Sequence, residues 1–539
     1  MYYKNFGENV TNPQLDTFAK DNLPPFEQWP EFINLAALDY PEKLNCAKTF
    51  LDDAVAEGSG ERVVIITPEE EYTYARLQKD SNQIAHVLVD DCGLIPGNRV
   101  LLRAPNSYMM AACWFGVVKA GGIAVSTMPL FRAKELRVII EKAQIKIALC
   151  DARLKDELIS AQAESMLEQI LLFGGSELEK KMSAKPEIFE NCPTNSDDTC
   201  LIAFTSGTTG NPKGTMHFHR DMLTICSAYS EPILAPTTED RFIGSPPLAF
   251  TFGLGGQLLF PMYARAATIL LEQATPDLLL PAIKKYQASI VFTSPTVYRF
   301  LLSELKEGDL SSVRTCVSAG ETLPKPTWDS WKEKTGLEIL DGIGSTELLH
   351  IFMSARADDI RPGSTGKPIS GYEAKVVDED GHEVPPGTTG KLAVRGPTGC
   401  RYLADERQNK YVQNGWNLTG DAYQMDEDGY FWFKARTDDM IISSGYNIAG
   451  PEVETALMTH ESVVECAVVG IPDLRRGSLV KAFVVLRQGF SGNAILVKEL
   501  QDFVKNSIAP YKYPRALEFV DSLPKTETGK IQRFKLRQD

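Results

Sequence analysis

The sequence has no uninterrupted apolar run near the ~20 residues that span a bilayer. The longest candidate, Met109 to Val125, is broken by Lys119 and by Gly121-Gly122, so no membrane span is expected. There is no C-x-x-C pair among the ten cysteines, and the six histidines form no ligand-spaced cluster with them, which argues against a zinc module. Scattered cysteines of this kind read as reduced thiols of a cytosolic protein. Positive charge is not in excess either. Lys plus Arg is 56 against 71 Asp plus Glu, a net charge of −15, and such a surface repels phosphate backbones. Nucleic acid is therefore not an expected partner. The opening residues, from Met1 to Asn9, carry no apolar core of a signal peptide, so a cytoplasmic location is expected. No internal repeat or low-complexity tract is present.

What is there is an ordinary globular composition, 43% hydrophobic and 24% charged over 539 residues, long enough for about three or four structural units. Residues 1–45, rich in proline and aromatics, read as an irregular wrap. Helix and strand patterns then alternate. Leu77–Val89, Tyr108–Ala120 and Ala133–Ala143 are predicted helices, and Arg99–Arg103, Ile123–Thr127 and Ile145–Cys150 predicted strands. Thr268–Leu271, Ser289–Thr293 and Thr315–Ser318 continue the alternation, which argues for α/β architecture with largely parallel sheets. After about residue 346 the pattern changes to short alternating strands between Gly/Pro/Asp turns, such as Ala374–Asp378, Gly390–Arg395 and Tyr430–Phe433. Beyond Asp438 a short α+β stretch follows, with helices at Gly450–Thr459 and Val497–Ser507 and strands at Val463–Val469 and Leu479–Leu486. The expected division is a large N-terminal domain, 1–437, with a β-rich part at about 346–437, and a small mobile lobe, 438–539.

The strongest local signal is the run from Thr205 to Gly214, which follows the apolar stretch Leu201–Phe204. Its glycines (Gly207, Gly210, Gly214) let backbone N–H groups approach an anion. Thr205, Ser206, Thr208 and Thr209 supply hydroxyls, and Lys213 a cation. These are the parts of a phosphate cradle. A Walker A loop is excluded, because Gly214 rather than Ser or Thr follows Lys213.

This run resembles the signature of the adenylate-forming superfamily: acyl-CoA synthetases, peptide-synthetase adenylation domains and firefly-type luciferases. Four further stretches resemble the other family motifs, in the same order. They are Asp341–Glu347, Leu418–Asp421, Lys434–Gly445 and Leu523–Arg533. The resemblance implies ATP-dependent activation of a carboxylic acid, in which carboxylate oxygen attacks the α-phosphorus and pyrophosphate leaves. A thiol, that of coenzyme A, then displaces AMP. Both steps depend on positioning and charge neutralisation rather than on a protein nucleophile.

Residue by residue, the resemblance implies an ATP site of Thr205, Ser206, Gly207, Thr208, Thr209, Gly210, Lys213, Gly320, Glu321, Asp341, Gly342, Ile343, Gly344, Ser345, Asp421 and Arg436. Thr346 would sit at the α-phosphate and Glu347 would be the Mg²⁺ carboxylate. Asp421 and Arg436 would take the ribose. Lys530 would be the catalytic lysine, Asp438 the hinge, and Ser444 and Gly445 the wall of the CoA tunnel. Ile343 and Ala435 depart from the commonest pattern of the superfamily, which has Tyr and Gly there. That form, together with Pro247–Gly256 and the N-terminal stretches Phe18–Pro25 and Tyr40–Cys46, is most similar to benzoate- and 2-aminobenzoate-CoA ligases. The resemblance then implies an acyl pocket of His219, Phe250, Thr251, Phe252, Gly253 and Gly255, the glycines leaving a slot for a flat ring. His219 also reads as a structural histidine. Arg475-Arg476 and Lys410 are candidates for the CoA 3′-phosphate. A stand-alone adenylation enzyme loading a carrier protein, a ligase for another small acid and a non-catalytic binding protein stay open, as does the choice between monomer and homodimer.

Overall fold

The computed structural model describes residues 13–175, 177–205, 212–436, 439–443, 446–473, 476–508, 510–525 and 531–537. It is a mixed α/β molecule with parallel sheets in a large N-terminal domain and a smaller C-terminal domain. The first sheet has six strands in the spatial order Gln169–Phe173, Ile147–Asp151, Arg99–Arg103, Ile123–Thr127, Thr199–Thr205 and Lys213–Phe218. Neighbours pair in parallel except for the last two, which pair antiparallel. Strands such as Arg99–Arg103 and Ile147–Asp151 are buried along their whole length, as expected where helices cover both faces. Helix Tyr108–Lys119, apolar nearly all round, is buried almost throughout and starts where Ser107 Oγ accepts from Met110 N.

The second sheet has nine strands. Six of them, from Ile339–Gly344 through Thr315–Ser318, Ile290–Thr293, Arg241–Gly244 and Ala267–Ile269 to Val63–Ile66, are mutually parallel. Ile351–Ser354 and Lys367–Pro368 extend one edge antiparallel, and Glu71–Thr73 extends the other. The separate antiparallel sheet thus starts at Glu373, later than the change of pattern near 346 suggests. The chain first returns along its own last parallel strand. That third sheet contains Glu373–Val377, Thr389–Arg395, Trp416–Met425, Val412–Gln413 and Phe431–Arg436.

The C-terminal lobe has its own core of Val453, Leu457, Val468, Val480, Val484, Leu500 and Val504. It is built on a sheet containing Val463–Asp473, Gly477–Leu486 and Ala516–Phe519, with helices Gly450–Met458 and Ala494–Ser507. The N-terminal wrap is real where described. Glu31 N donates to Gly415 O and Gln408 Nε2 donates to Gln28 O. All ten cysteines are free thiols. Among the described residues, no helix is long and apolar enough to cross a membrane.

Candidate active site

The hairpin of Thr199–Thr205 and Lys213–Phe218 pairs Thr205 with Lys213 across its mouth. The outer strand also meets a second segment. Met216 N donates to Arg401 O, Leu403 N donates to Gly214 O, and Thr215 bridges Tyr402. This contact sets Tyr402 beside Lys213, whose Nζ donates to the tyrosine oxygen at 2.9 Å. The Tyr402 hydroxyl in turn donates to Glu347, and Lys213 Nζ lies 3.7 Å from the same carboxylate. Burial first, and then the Glu347 carboxylate, push the Tyr402 pKa far up. The phenol therefore stays a donor. Lys213 and Glu347, assigned separately by resemblance, belong to one cluster, and Tyr402 joins them.

Glu347 arrives there on a short 3₁₀ turn, Thr346–Leu348, that follows strand Ile339–Gly344. Ser345 caps the turn, its Oγ accepting from Leu348 N. The next residue, Leu349, has φ +74°, a left-handed conformation that costs a branched residue energy and is kept only where the surroundings enforce it. On one side of it Glu347 lies beside Lys213, and on the other His350 packs against Phe252 and Phe260. Thr346 O accepts from His217 Nε2 at 2.8 Å. His217 is wholly buried, and burial holds its pKa below the ordinary histidine value. Behind it Asp221 and Arg401, both without solvent exposure, form an ion pair. Burial works to raise the Asp221 pKa, but the Arg401 and Arg220 charges outweigh it and hold the carboxyl well below its usual range.

The two ribose-motif residues also meet. Asp421 and Arg436 are cross-strand partners, and Arg436 Nη1 donates to Asp421 Oδ1 at 2.7 Å. Asp341 to Gly344, the stretch expected at the adenine, run along one strand. Burial pushes the Asp341 carboxyl up to about 8, against a smaller pull from Ser318 and the Gly342 N–H. Glu321 Oε2 accepts from Thr296 N at 3.2 Å and from Thr296 Oγ1 at 2.6 Å; Gly320 before it has φ +89°.

The acyl-side residues divide. Phe250 precedes the short helix Thr251–Leu254. The Phe252 ring lies 5.8 Å from Phe292 and 5.6 Å from His350, centroid to centroid. Phe260 and Tyr229 complete the nest, 4.6 and 5.9 Å from the His350 ring. His350 is buried, and burial pushes its pKa down to about 3. It is a neutral ring at any ordinary pH, and its Nε2 donates to Phe252 O at 3.3 Å.

The glycines do not leave the slot expected of them. A Cβ on Gly253 would fall 2.1 Å from Pro247 O, and one on Gly255 would fall 2.4 Å from His350 Cδ2. Their space is already filled, by backbone in one case and by the imidazole in the other. His219 is fully buried, and its Nδ1 accepts from Cys46 N at 3.1 Å. Cys46, Cys200 and His219 bring two Sγ atoms and a ring nitrogen within 4.8 Å of one another. The Cys46 N–H bond to Nδ1 ties residue 46 to the end of strand Lys213–Phe218, while among the described residues His219 Nε2 is buried without a hydrogen-bond partner.

Ser206, Gly207, Thr208, Thr209, Gly210, Asp438, Ser444, Gly445, Arg475 and Lys530 lie outside the described residues. Tyr229, Phe260, Phe292 and His350 pack around Phe252, and Tyr402 joins Lys213 and Glu347; none of the five is among the residues expected from the sequence. Only His350 had a signal, three residues past Glu347 and just after the short turn.

Comparison with known proteins agrees with this geometry. Residues 52–402 match the model of the AMP-binding enzyme family, and residues 452–530 match that of its C-terminal domain. The benzoate–CoA ligase of Thauera aromatica is 36% identical, covering 93% of this chain and 97% of its own length. An acyl-coenzyme A synthetase of Rattus norvegicus, the mitochondrial ACSM5, is 34% identical over 94% of this chain and 92% of its own. Among solved structures, the anthranilate CoA ligase AuaEII in complex with anthranoyl-AMP superposes with a TM-score of 0.89 at 36% identity, covering 93% of this chain and 98% of that one. A benzoate CoA ligase from Burkholderia xenovorans LB400 gives 0.85 at 31%, covering 92% and 100%. The chain belongs to the AMP-binding enzyme family and, within that adenylate-forming superfamily, to its acid–thiol ligases, the acyl-CoA synthetases.

Proposed function

We propose that the protein activates a small aromatic carboxylic acid, 2-aminobenzoate or benzoate, as its acyl-AMP and transfers the acyl group to coenzyme A. The observation that carries this reading is the closed aromatic nest of Tyr229, Phe252, Phe260, Phe292 and His350, whose histidine follows three residues after Glu347. A flat apolar ring bound against it would direct its carboxylate toward the nucleotide residues. The imidazole is neutral, so the nest offers an anionic ring substituent no charge and suits an uncharged amine or hydrogen. The relatives named for benzoate and anthranilate support the same substrate class.

In the first half-reaction an acid oxygen attacks the α-phosphorus of ATP, and the bond to pyrophosphate breaks. Lys213 sits where negative charge gathers, held in place by Tyr402. Asp421 accepts from the ribose hydroxyls, with Arg436 fixing its carboxylate. Glu347 is the residue that would hold Mg²⁺. It is a single carboxylate beside a phosphate-facing lysine, which fits an ion that keeps phosphate and water oxygens as its other ligands. The ion supplies neutralisation of phosphate charge. Lys530 is assigned the developing charge at the α-phosphate. In the second half-reaction the CoA thiol adds to the acyl carbonyl and AMP leaves, with Asp438 assigned the hinge and Gly445 the pantetheine tunnel. CoA as acceptor makes the 438–539 lobe the part that changes place between the steps.

An ATP–pyrophosphate exchange screen across benzoate, 2-aminobenzoate, hydroxybenzoates, phenylacetate and short fatty acids tests the reading. The aromatic acids are expected to lead, and a preference for an aliphatic acid would overturn the pocket assignment. In the Lys530→Ala variant, exchange should fall at least about a hundredfold. Undiminished exchange there would remove the lysine from the mechanism.

A further inference from the structure

The acid and the phosphates are assigned to different sheets. Lys213 stands on the first, at the mouth of the hairpin of Thr199–Thr205 and Lys213–Phe218. The aromatic nest stands on the second, where Phe292 lies in strand Ile290–Thr293 and Phe252 packs against it. A carboxylate oxygen meets the α-phosphorus only if the two sheets are held in register, because a misplacement of about 1 Å can cost about a hundredfold in rate. A contact that joins them therefore bears on the reaction even when it lies away from the reacting atoms.

Asn106 makes such a contact. It lies three residues past strand Arg99–Arg103 of the first sheet, whose parallel pairing places it at the same end of that sheet as Thr205. The next residue, Ser107, caps the buried helix Tyr108–Lys119, so the backbone at Asn106 is held from both sides. Asn106 is 6% exposed, and its side chain crosses to the loop that leaves strand Arg241–Gly244 of the second sheet. Oδ1 accepts from Leu248 N at 2.7 Å, and Nδ2 donates to Pro246 O at 3.1 Å. The two partners fix which way the amide points. Aspartate and leucine, of similar size, each lack at least one of the two functions.

The loop held in this way leads into the acyl wall. At its start Ser245 N donates to Phe292 O at 3.1 Å, and Ser245 Oγ bonds Thr293 Oγ1 at 2.5 Å. Pro246 O accepts a second hydrogen bond, from Gln257 Nε2. At its end Phe250 N donates to Pro247 O at 3.0 Å, and helix Thr251–Leu254 begins. Between these ends only Leu248 is buried, while residues 245–247, 249 and 250 are half-buried. Apolar packing thus anchors the loop at one side chain, and Asn106 holds the backbone there.

We propose that Asn106 is a positioning residue that sets the acyl wall of Phe250 and Phe252 at its working distance from the phosphate side. It acts through the loop 246–250 rather than on a substrate. The inference rests on the acid-activating reading above. It adds a residue 140 positions from the loop it holds, outside the five stretches that resemble family motifs.

Steady-state pyrophosphate exchange, with the preferred acid and ATP varied in turn, tests it. In Asn106→Ala, kcat/KM for the acid is expected to fall about tenfold, with the KM for ATP changed by less than about twofold. Asn106→Asp keeps an acceptor for Leu248 N and loses the amide donor to Pro246 O, so it should show the same split at smaller size. It carries the test by the same criteria if Asn106→Ala does not fold. A purely structural role predicts a lower thermal midpoint with the kinetic constants for acid and ATP both kept, and that result would overturn the proposal. Equal losses toward acid and ATP, or no change in either, would overturn it too. These outcomes leave the functional reading standing, since the unaltered protein still exchanges pyrophosphate. Failure of the unaltered protein to do so with any acid would remove that reading, and this inference with it.

Discussion

Two clusters of charge in this molecule use the same residue types under opposite conditions. Behind the nucleotide turn, Asp221 and Arg401 are sealed from water, with His217 between them and Thr346. At the seam between the large domain and the small lobe, Arg299, Glu465 and Lys525 are partly wet. A sealed pair cannot part without leaving a bare charge in the interior, so it fixes geometry permanently. A wet pair contributes little net energy and can be exchanged for water. The contrast is one of permanence: the turn carrying Thr346 and Glu347 is held by a pair that cannot open, whereas the contacts at the seam can be exchanged for water.

That contrast can be broken at three points. Arg401→Met leaves Asp221 buried without its main partner, and should cost about 3–5 kcal/mol in equilibrium unfolding. The sign with pH follows from the depressed Asp221 carboxyl. Its contribution is present above the ordinary carboxylate range and is lost as pH falls through and below it. Asp221→Asn should therefore flatten the acid limb of a denaturation curve taken against pH; an unchanged limb would mean the pair adds nothing.

A middle-sized effect is expected at Gly255→Ala. The new methyl group meets the His350 ring, and overpacking of this kind costs about 1–3 kcal/mol. Steady-state kinetics should show a higher KM for the aromatic acid with the KM for ATP held, and a rise in both would place Gly255 outside the acyl wall. The smallest effect belongs to another partly wet pair, Lys512 with Glu452. Lys512→Ala should change stability by less than about 1 kcal/mol, and any change should shrink as salt is added. A larger loss would contradict the distinction between sealed and wet pairs.

Much of the architecture is legible in the chain because local and global preferences agree. Helix Tyr108–Lys119 and strand Arg99–Arg103 sit where periodicity and apolar runs place them, and the strand Thr315–Ser318 matches its expected bounds. What cannot be read is what the fold brings together from afar. Tyr402 carries no motif signal, since it reaches Lys213 through strand pairing across 189 positions. Tyr229, Phe260 and Phe292 look like ordinary core residues until His350 is set among them. Gly253 and Gly255 mislead for a related reason: absence of a side chain in sequence suggests room, but whether room exists depends on the neighbour that fills it. The antiparallel sheet starts later than the change of pattern because Ile351–Ser354 returns along the last parallel strand.

The left-handed Leu349 has a consequence for how this scaffold can diversify. Under the proposed function it places the residue assigned to the ring, His350, three positions from the residue assigned to Mg²⁺, Glu347, on one bend. Exchanging His350 to admit a bulkier acid should then disturb ATP handling as well. Tyr229, Phe260 and Phe292 arrive on independent helices and strands. New substrate ranges should therefore be reached through those three, with the bend left alone.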